Sequence, residues 1–271
     1  MKRKIGVTNW IFGDVDLIES AKIIASMGFD GMEVYVDIEK VSSTEVKKVL
    51  NDHNLDVFSL TPANFDLANN YLNCRQIAID YYKKLIDYGA ELGHPVITCH
   101  EYIQNQSIKD YLGAIYWLID SCKKLAIYAQ KANINLGFEP LNRYLCRFIL
   151  TSVDVVELIN QVDAHNLTII LDTFHMNLEE NDLNKAIIMC KDKLSIYQIA
   201  DSNRKGIGLG HTDFTTQFKT LDQINYTGPI ILECAHPRQT PGSPLAGDFD
   251  ELKFYLQTSK NWLMQQETTL V

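Results

Sequence analysis

A single-domain (β/α)8 barrel spanning residues 1–271 is the fold class that this sequence predicts, and three observations predict it. Eight short apolar, β-rich runs recur at intervals of about 25 to 40 residues. Amphipathic stretches long enough for helices separate them. No glycine fingerprint of the GxGxxG or GxxxxGKS/T type follows an early strand, so the usual signature of the rival open, doubly wound sheet is missing.

Each element carries its own justification. IGVTNW from Ile5 reads as the first strand, and the amphipathic stretch from Val15 to Gly28 as its helix, closed by the glycine. MEVYV from Met32 and VFSLT from Val57 are the next two strands. A helix from Arg75 to Gly93, again ended by glycine, leads to VITCH at Val96. The stretch from Lys109 to Ala132 leads to NLGFE at Asn135, and Ser152 is positioned to cap a helix from Val153 to Val162. TIILD from Thr168 and SIYQIA from Ser195 follow, and a helix from Phe214 to Asn225, with Gly228 beyond it, precedes PIILE at Pro229. Continuous apolar strands separated by helices call for a parallel sheet covered on its outer side. Eight such units close it.

Composition narrows the function classes. Hydrophobic residues at 46% and charged residues at 22% supply a sizeable core and exclude a disordered chain. A net charge of −9 argues against nucleic acid, because phosphate neutralisation needs a basic surface. No apolar run approaches the roughly 20 residues that span a bilayer, and the basic MKRK start lacks a cleavage signature, so no membrane partner is expected. Six cysteines without CxxC spacing argue against a zinc ribbon and a disulfide scaffold and suit a reducing cytoplasm.

The chemistry-bearing feature is where the acids fall. Glu139 ends NLGFE, Asp172 ends TIILD and Glu233 ends PIILE, in strands five, six and eight. In a barrel the carboxyl ends of all strands converge on one face, where active sites are built. Taken singly, each acid is as well explained by capping a helix or pairing with a lysine. Three converging carboxylates repel one another and raise each other's pKa values, and a divalent cation relieves this. Oxygen-rich ligation favours Mn²⁺ or Mg²⁺ over structural zinc, with Co²⁺ also suitable.

GFDGMEV at the second strand, GFEPLNRY around Glu139, LDTFHMNLEE around Asp172, ADSNRKGIGLGHTDF after strand seven and ILECAHP around Glu233 resemble the xylose isomerase-like barrels. Within that family the likeness is to the ketose 3-epimerases of the tagatose and psicose type and related sugar phosphate isomerase/epimerases. The resemblance implies one divalent metal, Mn²⁺ first, held by Glu, Asp, His and Glu from strands five to eight. Here Glu139, Asp172, Gln198 and Glu233 match those positions. It also implies that Glu139 and Glu233 exchange the proton through an enediolate, and that His175 and Arg204 contact a sugar, free or phosphorylated. Such enzymes often form homodimers or homotetramers.

Two positions depart from the family pattern. Gln198 stands where the resemblance calls for a ligand histidine, and an amide oxygen is a neutral, weaker donor than imidazole for transition metals. Leu145 stands where some ketose 3-epimerases carry a substrate-contacting glutamate. His100, at the end of strand four, faces the expected mouth and is a further candidate for a sugar hydroxyl. His211 is a remote stand-in for the strand-seven ligand, and Glu33 either reaches the ligand or pairs with a basic residue inside the barrel. Trp10, Phe12, Tyr35 and Phe65 are candidates for an apolar wall, whereas Cys99 and Cys234 read as buried small side chains. The expected function is metal-dependent epimerisation or isomerisation of a sugar. The alternatives are a carbohydrate-binding or regulatory barrel whose metal site has decayed, and an endonuclease of the same broad fold, which should show more histidine ligands and a basic groove.

Overall fold

The computed structural model describes residues 3–101 and 111–268. Its strands are β1 (Ile5–Thr8), β2 (Gly31–Val34), β3 (Asp56–Leu60), β4 (Val96–Cys99), β5 (Leu136–Phe138), β6 (Leu167–Asp172), β7 (Leu194–Ile199) and β8 (Ile230–Leu232). They form a closed barrel in sequence order, each pairing in parallel with the next, and β8 returns to β1 through Gly6 opposite Ile231. All eight sequence runs therefore sit where the pattern placed them.

The helices are α1 (Leu17–Ser26), α2 (Ser43–Asp52), α3 (Leu72–Leu92), α4 (Tyr111–Lys131), α5 (Ser152–Val162), α6 (Thr173–Glu179), α7 (Leu183–Cys190), α8 (Phe214–Gln223) and α9 (Phe249–Thr268). The part of the expected α4 from Lys109 to residue 110 lies outside the described residues. Two caps differ from expectation. Thr151, not Ser152, caps α5: its hydroxyl accepts from Asp154 N while the Asp154 carboxylate accepts from Thr151 N, so the two satisfy each other's orphan donors. After α8 the left-handed turn is taken by Asn225 at φ 55°, not by Gly228. Among the described residues no helix is long and apolar enough to cross a membrane. All six cysteines are free, and Cys99 and Cys234 are buried.

The strand period of two decides what fills the barrel. Ile170, Ile196 and Ile231, fully shielded from solvent, pack with Phe58 and Val96 into a small cluster separate from the main core between sheet and helices. This plug closes one end of the lumen. Two residues on from its three isoleucines stand Asp172, Gln198 and Glu233, and Gln198 lies opposite Asp172 in the β6–β7 register. The plug thus forms the floor beneath a polar layer at the carboxyl end.

Gly6 and Gly31, paired in register on β1 and β2, make room for the Phe58 ring. A Cβ on Gly31 would stand 2.6 Å from the main-chain oxygen of Asp56 and 2.7 Å from the ring, and backbone cannot give way as a flexible side chain can. Gly31→Ala is expected to destabilise the protein by about 1–3 kcal/mol through overpacking. The measurement is a urea titration, in which the midpoint should fall with the slope unchanged.

Candidate active site

The carboxyl ends of the strands surround a cavity of about 500 Å³, lined by Glu33, His100, Glu139, His175, Arg204 and Glu233 among others. Glu139 follows β5 directly, Asp172 is the last residue of β6, and Glu233 follows β8 directly. All three are at least nine-tenths buried. His175 sits one turn into α6, facing back to the strand end that starts the helix. Asp172 itself caps α6, its Oδ1 accepting from Phe174 N at 2.9 Å. That bond leaves Oδ2 for the cavity side.

Arg204 ties the acids together. Its Nη1 lies 2.9 Å from Asp172 Oδ2 and its Nη2 3.0 Å from Glu233 Oε2. The guanidinium carbon lies 4.6 Å from the centre of the Phe174 ring and 5.5 Å from that of Trp10, within reach of cation–π attraction to both. The loop holding it is organised by Asp201, whose carboxylate accepts from Ser202 N, Thr212 N and Gly208 N at 2.7, 3.1 and 2.9 Å. Arg204 adopts a left-handed φ of 66°, uncommon for a residue with a side chain, and this loop enforces it.

Glu233 has a second partner, because Trp10 Nε1 donates to its Oε1 at 3.0 Å. Glu33, on β2, accepts from Ser59 Oγ at 2.7 Å and from Gln198 Nε2 at 3.0 Å. It therefore pairs with neutral donors and not with a basic residue. Gln198 is held by that bond with its Oε1 buried and without a hydrogen-bond partner.

The charge balance is lopsided. Arg204 is the only lysine or arginine among the described residues lining the cavity, against Glu33, Glu139 and Glu233 in the lining and Asp172 beneath. Burial, with Asp172 and Glu33 nearby, pushes the Glu139 carboxyl well above its ordinary 4.5. Burial likewise pushes Glu233 well up, and Arg204 offsets this only in part. For Asp172, burial acts upward too, but Arg204 and His175 outweigh it and hold the group below its ordinary value. Burial drives both His175 and His100 down to about 4, so both imidazoles are neutral near pH 7. An excess of buried carboxylate is a site that suits a divalent cation. A ligand atom from each of Glu139, Asp172 and His175 lies within 4.8 Å of the others, and the orphaned Gln198 oxygen is a further neutral donor.

The barrel thus gathers Glu139, Asp172, His175, Gln198, Arg204, Glu233 and His100 at one end. Leu145 lines the cavity and contributes only apolar surface. His211 is exposed and absent from the lining. Of the four aromatics considered, Trp10 lines the cavity and Phe12, Tyr35 and Phe65 do not. Asn142, which bonds His175, escaped the sequence reading, although it sits in the GFEPLNRY segment.

A parallel eight-stranded barrel with buried acids around one cavity at its carboxyl end is the layout of barrels that act on small molecules. The chain belongs to the xylose isomerase-like TIM barrel family, whose sequence pattern matches residues 21–258. It is 28% identical over 239 residues to 3-dehydro-D-guloside 4-epimerase of Escherichia coli, covering 85% of this chain and 91% of that one. A shorter match, 36% identical, joins it to L-ribulose 3-epimerase of a Methylomonas strain over 42% of this chain and 40% of the relative. The solved 3-keto-D-glucoside 4-epimerase from E. coli superposes with a TM-score of 0.85 at 26% identity, covering 97% of this chain and all of that one. These relatives are sugar epimerases.

A carboxyl whose folded pKa exceeds its unfolded value opposes folding once ionised. For Glu139 that cost sets in as pH rises past about 4.5 and grows until the folded group itself titrates. In chelator-treated protein, Glu139→Gln is therefore expected to raise the urea midpoint at pH 7, with the gain shrinking towards pH 4.5. Adding Mn²⁺ at pH 7 should stabilise the wild type more than the variant.

Proposed function

We propose that this protein is a divalent-metal-dependent epimerase that inverts a sugar carbon next to a ketone. The observation that carries the reading is the pair Glu139 and Glu233, buried just past the ends of β5 and β8 and both lining the cavity, where burial pushes each carboxyl well above its ordinary value. Proton abstraction from carbon needs a base stronger than an ordinary carboxylate, and desolvation makes one. Inversion needs a second such group on the opposite face. In a reversible reaction each glutamate is base in one direction and acid in the other, so raised values on both fit the task.

Glu139, Asp172, Gln198 and Glu233 would hold the ion, Mn²⁺ or Mg²⁺, which when bound supplies a Lewis acid for the carbonyl and the neighbouring hydroxyl. Arg204 holds Asp172 and Glu233 in place and keeps Asp172 ionised. Trp10 fixes the Glu233 carboxylate in orientation through Oε1. His175 and His100, both neutral, serve sugar oxygens. Trp10, Leu141, Leu145, Phe174, Leu178 and the prolines at 237 and 241 form apolar walls that exclude water from the reacting carbon.

The names of the relatives share one chemistry. A 4-epimerase acting on a 3-keto sugar and a 3-epimerase acting on a 2-ketose both invert the carbon adjacent to the carbonyl. This supports epimerisation over aldose–ketose isomerisation. A free sugar is favoured over a phosphorylated one, because the guanidinium of Arg204 is already committed to two carboxylates. A phosphate would meet no further lysine or arginine among the described lining residues.

The test is chelation, reloading with Mn²⁺, and incubation in D2O with a panel of ketoses and 3-keto glycosides. Deuterium should enter only at the carbon next to the ketone. Glu139→Gln and Glu233→Gln should each lower the exchange rate by about 10²–10⁴-fold, the usual contribution of one positioned acid or base. If either variant kept full turnover, the two-glutamate mechanism would be wrong. Absence of both exchange and metal binding across the panel would point instead to a sugar-binding barrel.

Gln198→His probes the metal site, at the cost of the hydrogen bond to Glu33. Replacing the amide by an imidazole is expected to tighten Mn²⁺ binding, measured by calorimetry, and to shift preference away from Mg²⁺.

A further inference from the structure

The surroundings of His175 settle which of its ring nitrogens carries a proton. Nδ1 faces two groups of Asn142: the main-chain nitrogen at 3.2 Å and the side-chain Nδ2 at 2.8 Å. The orientation of that amide is fixed independently, because Asn142 Oδ1 accepts the main-chain N–H of Tyr144 at 3.0 Å. Turning the amide over would place Nδ2 against another N–H. Both groups at Nδ1 are therefore donors, and Nδ1 must offer them its lone pair.

A neutral imidazole has one in-plane lone pair and one N–H. With the lone pair at Nδ1, the proton is on Nε2. That nitrogen faces Asp172 Oδ2 at 3.6 Å and Glu139 Oε1 at 3.8 Å, too far for hydrogen bonds to either. The N–H lies between these acids, on a ring that lines the cavity. By distance alone Nε2 belongs to a ligand cluster with Glu139 and Asp172. A protonated nitrogen has no lone pair to give a metal.

We infer that Asn142 is a positioning residue that locks His175 in the Nε2–H tautomer, making His175 a neutral hydrogen-bond donor to the sugar and keeping it out of the metal's ligand shell. The role in turnover rests on the epimerase reading above, whereas the tautomer does not. As negative charge develops on the sugar oxygen, a fixed N–H donor stabilises it more than it stabilises the ground state. Asn142, which also lines the cavity, acts here through the imidazole, by denying it its other tautomer.

The tautomer is read from protein labelled with ¹⁵N-histidine, through two- and three-bond ¹H–¹⁵N correlations, with His175→Gln identifying the resonances. The wild type should show a protonated-type Nε2 and an unprotonated-type Nδ1, unchanged on adding Mg²⁺, which is diamagnetic. Asn142→Asp, of nearly the same shape, sets an acceptor where Nδ2 stood and should move the ring towards the Nδ1–H form. In an active preparation it should also lower kcat by about 10²–10³-fold, the usual loss for one donor to a developing charge. An unprotonated Nε2 in the wild type, or an Nε2 resonance that shifts to a coordinated value with Mg²⁺, overturns the inference. So does an Asn142→Asp ring that keeps its tautomer. Because the spectrum needs no turnover, a failed epimerase assay leaves this result standing, and a failed tautomer leaves the exchange assay standing.

Discussion

The charge imbalance at the barrel mouth governs the rest of the site. Glu33, Glu139, Asp172 and Glu233 are buried there, and Arg204 is the one guanidinium among the described residues lining the cavity. Burying like charges in a low-dielectric interior is costly, and the protein meets the cost in three ways. Arg204 bridges Asp172 and Glu233 and keeps Asp172 ionised. Neutral donors from Ser59 and Gln198 satisfy Glu33. Glu139 and Glu233, and Glu33 with them because burial outweighs its hydrogen bonds, take the remainder as raised proton affinity. The last of these leaves carboxyl groups that hold their protons more tightly than an exposed glutamate does.

Such an arrangement needs a rigid support, and the lumen provides it. Asp172, Gln198 and Glu233 each stand two residues beyond an isoleucine of the apolar plug, so their direction is set by the strand and their depth by packed hydrocarbon. Close packing leaves the plug little freedom to shift. The loops above stand outside this support. Asp201 shows how tightly one of them is nonetheless held, since three main-chain N–H groups converge on its carboxylate to fix the turn that carries Arg204.

What the sequence made legible follows from this design. Strand-terminal acids stand out because each ends an apolar run, and the barrel's topology alone makes Glu139, Asp172 and Glu233 neighbours. The contacts that tune them are silent in the sequence because they join distant elements. Trp10 meets Glu233 across 223 residues, since β1 closes against β8. Gln198 meets Glu33 across 165 residues. No local pattern announces either pairing. The caps missed by one position at Thr151 and by three at Asn225 have another cause: several residues near a helix end are chemically able to cap, and tertiary fit selects among them.

Gln198 and His175 become one question once the tautomer is considered. A neutral amide on β7 removes the nitrogen donor that the family resemblance implies there, and His175, with a ring nitrogen within 4.8 Å of ligand atoms of Glu139 and Asp172, is an imidazole that distance would allow as a substitute. Asn142 closes that route by claiming the lone pair of Nδ1. The proposed ligand set is then oxygen throughout: Glu139, Asp172, the Gln198 amide and Glu233. Hard cations such as Mg²⁺ and Mn²⁺ accept such a set, whereas softer ions lose the donor that would have favoured them. The hydrogen bond from Gln198 Nε2 to Glu33 acquires a purpose in the same scheme, because it turns the amide so that its oxygen, and not its nitrogen, is left for the ion.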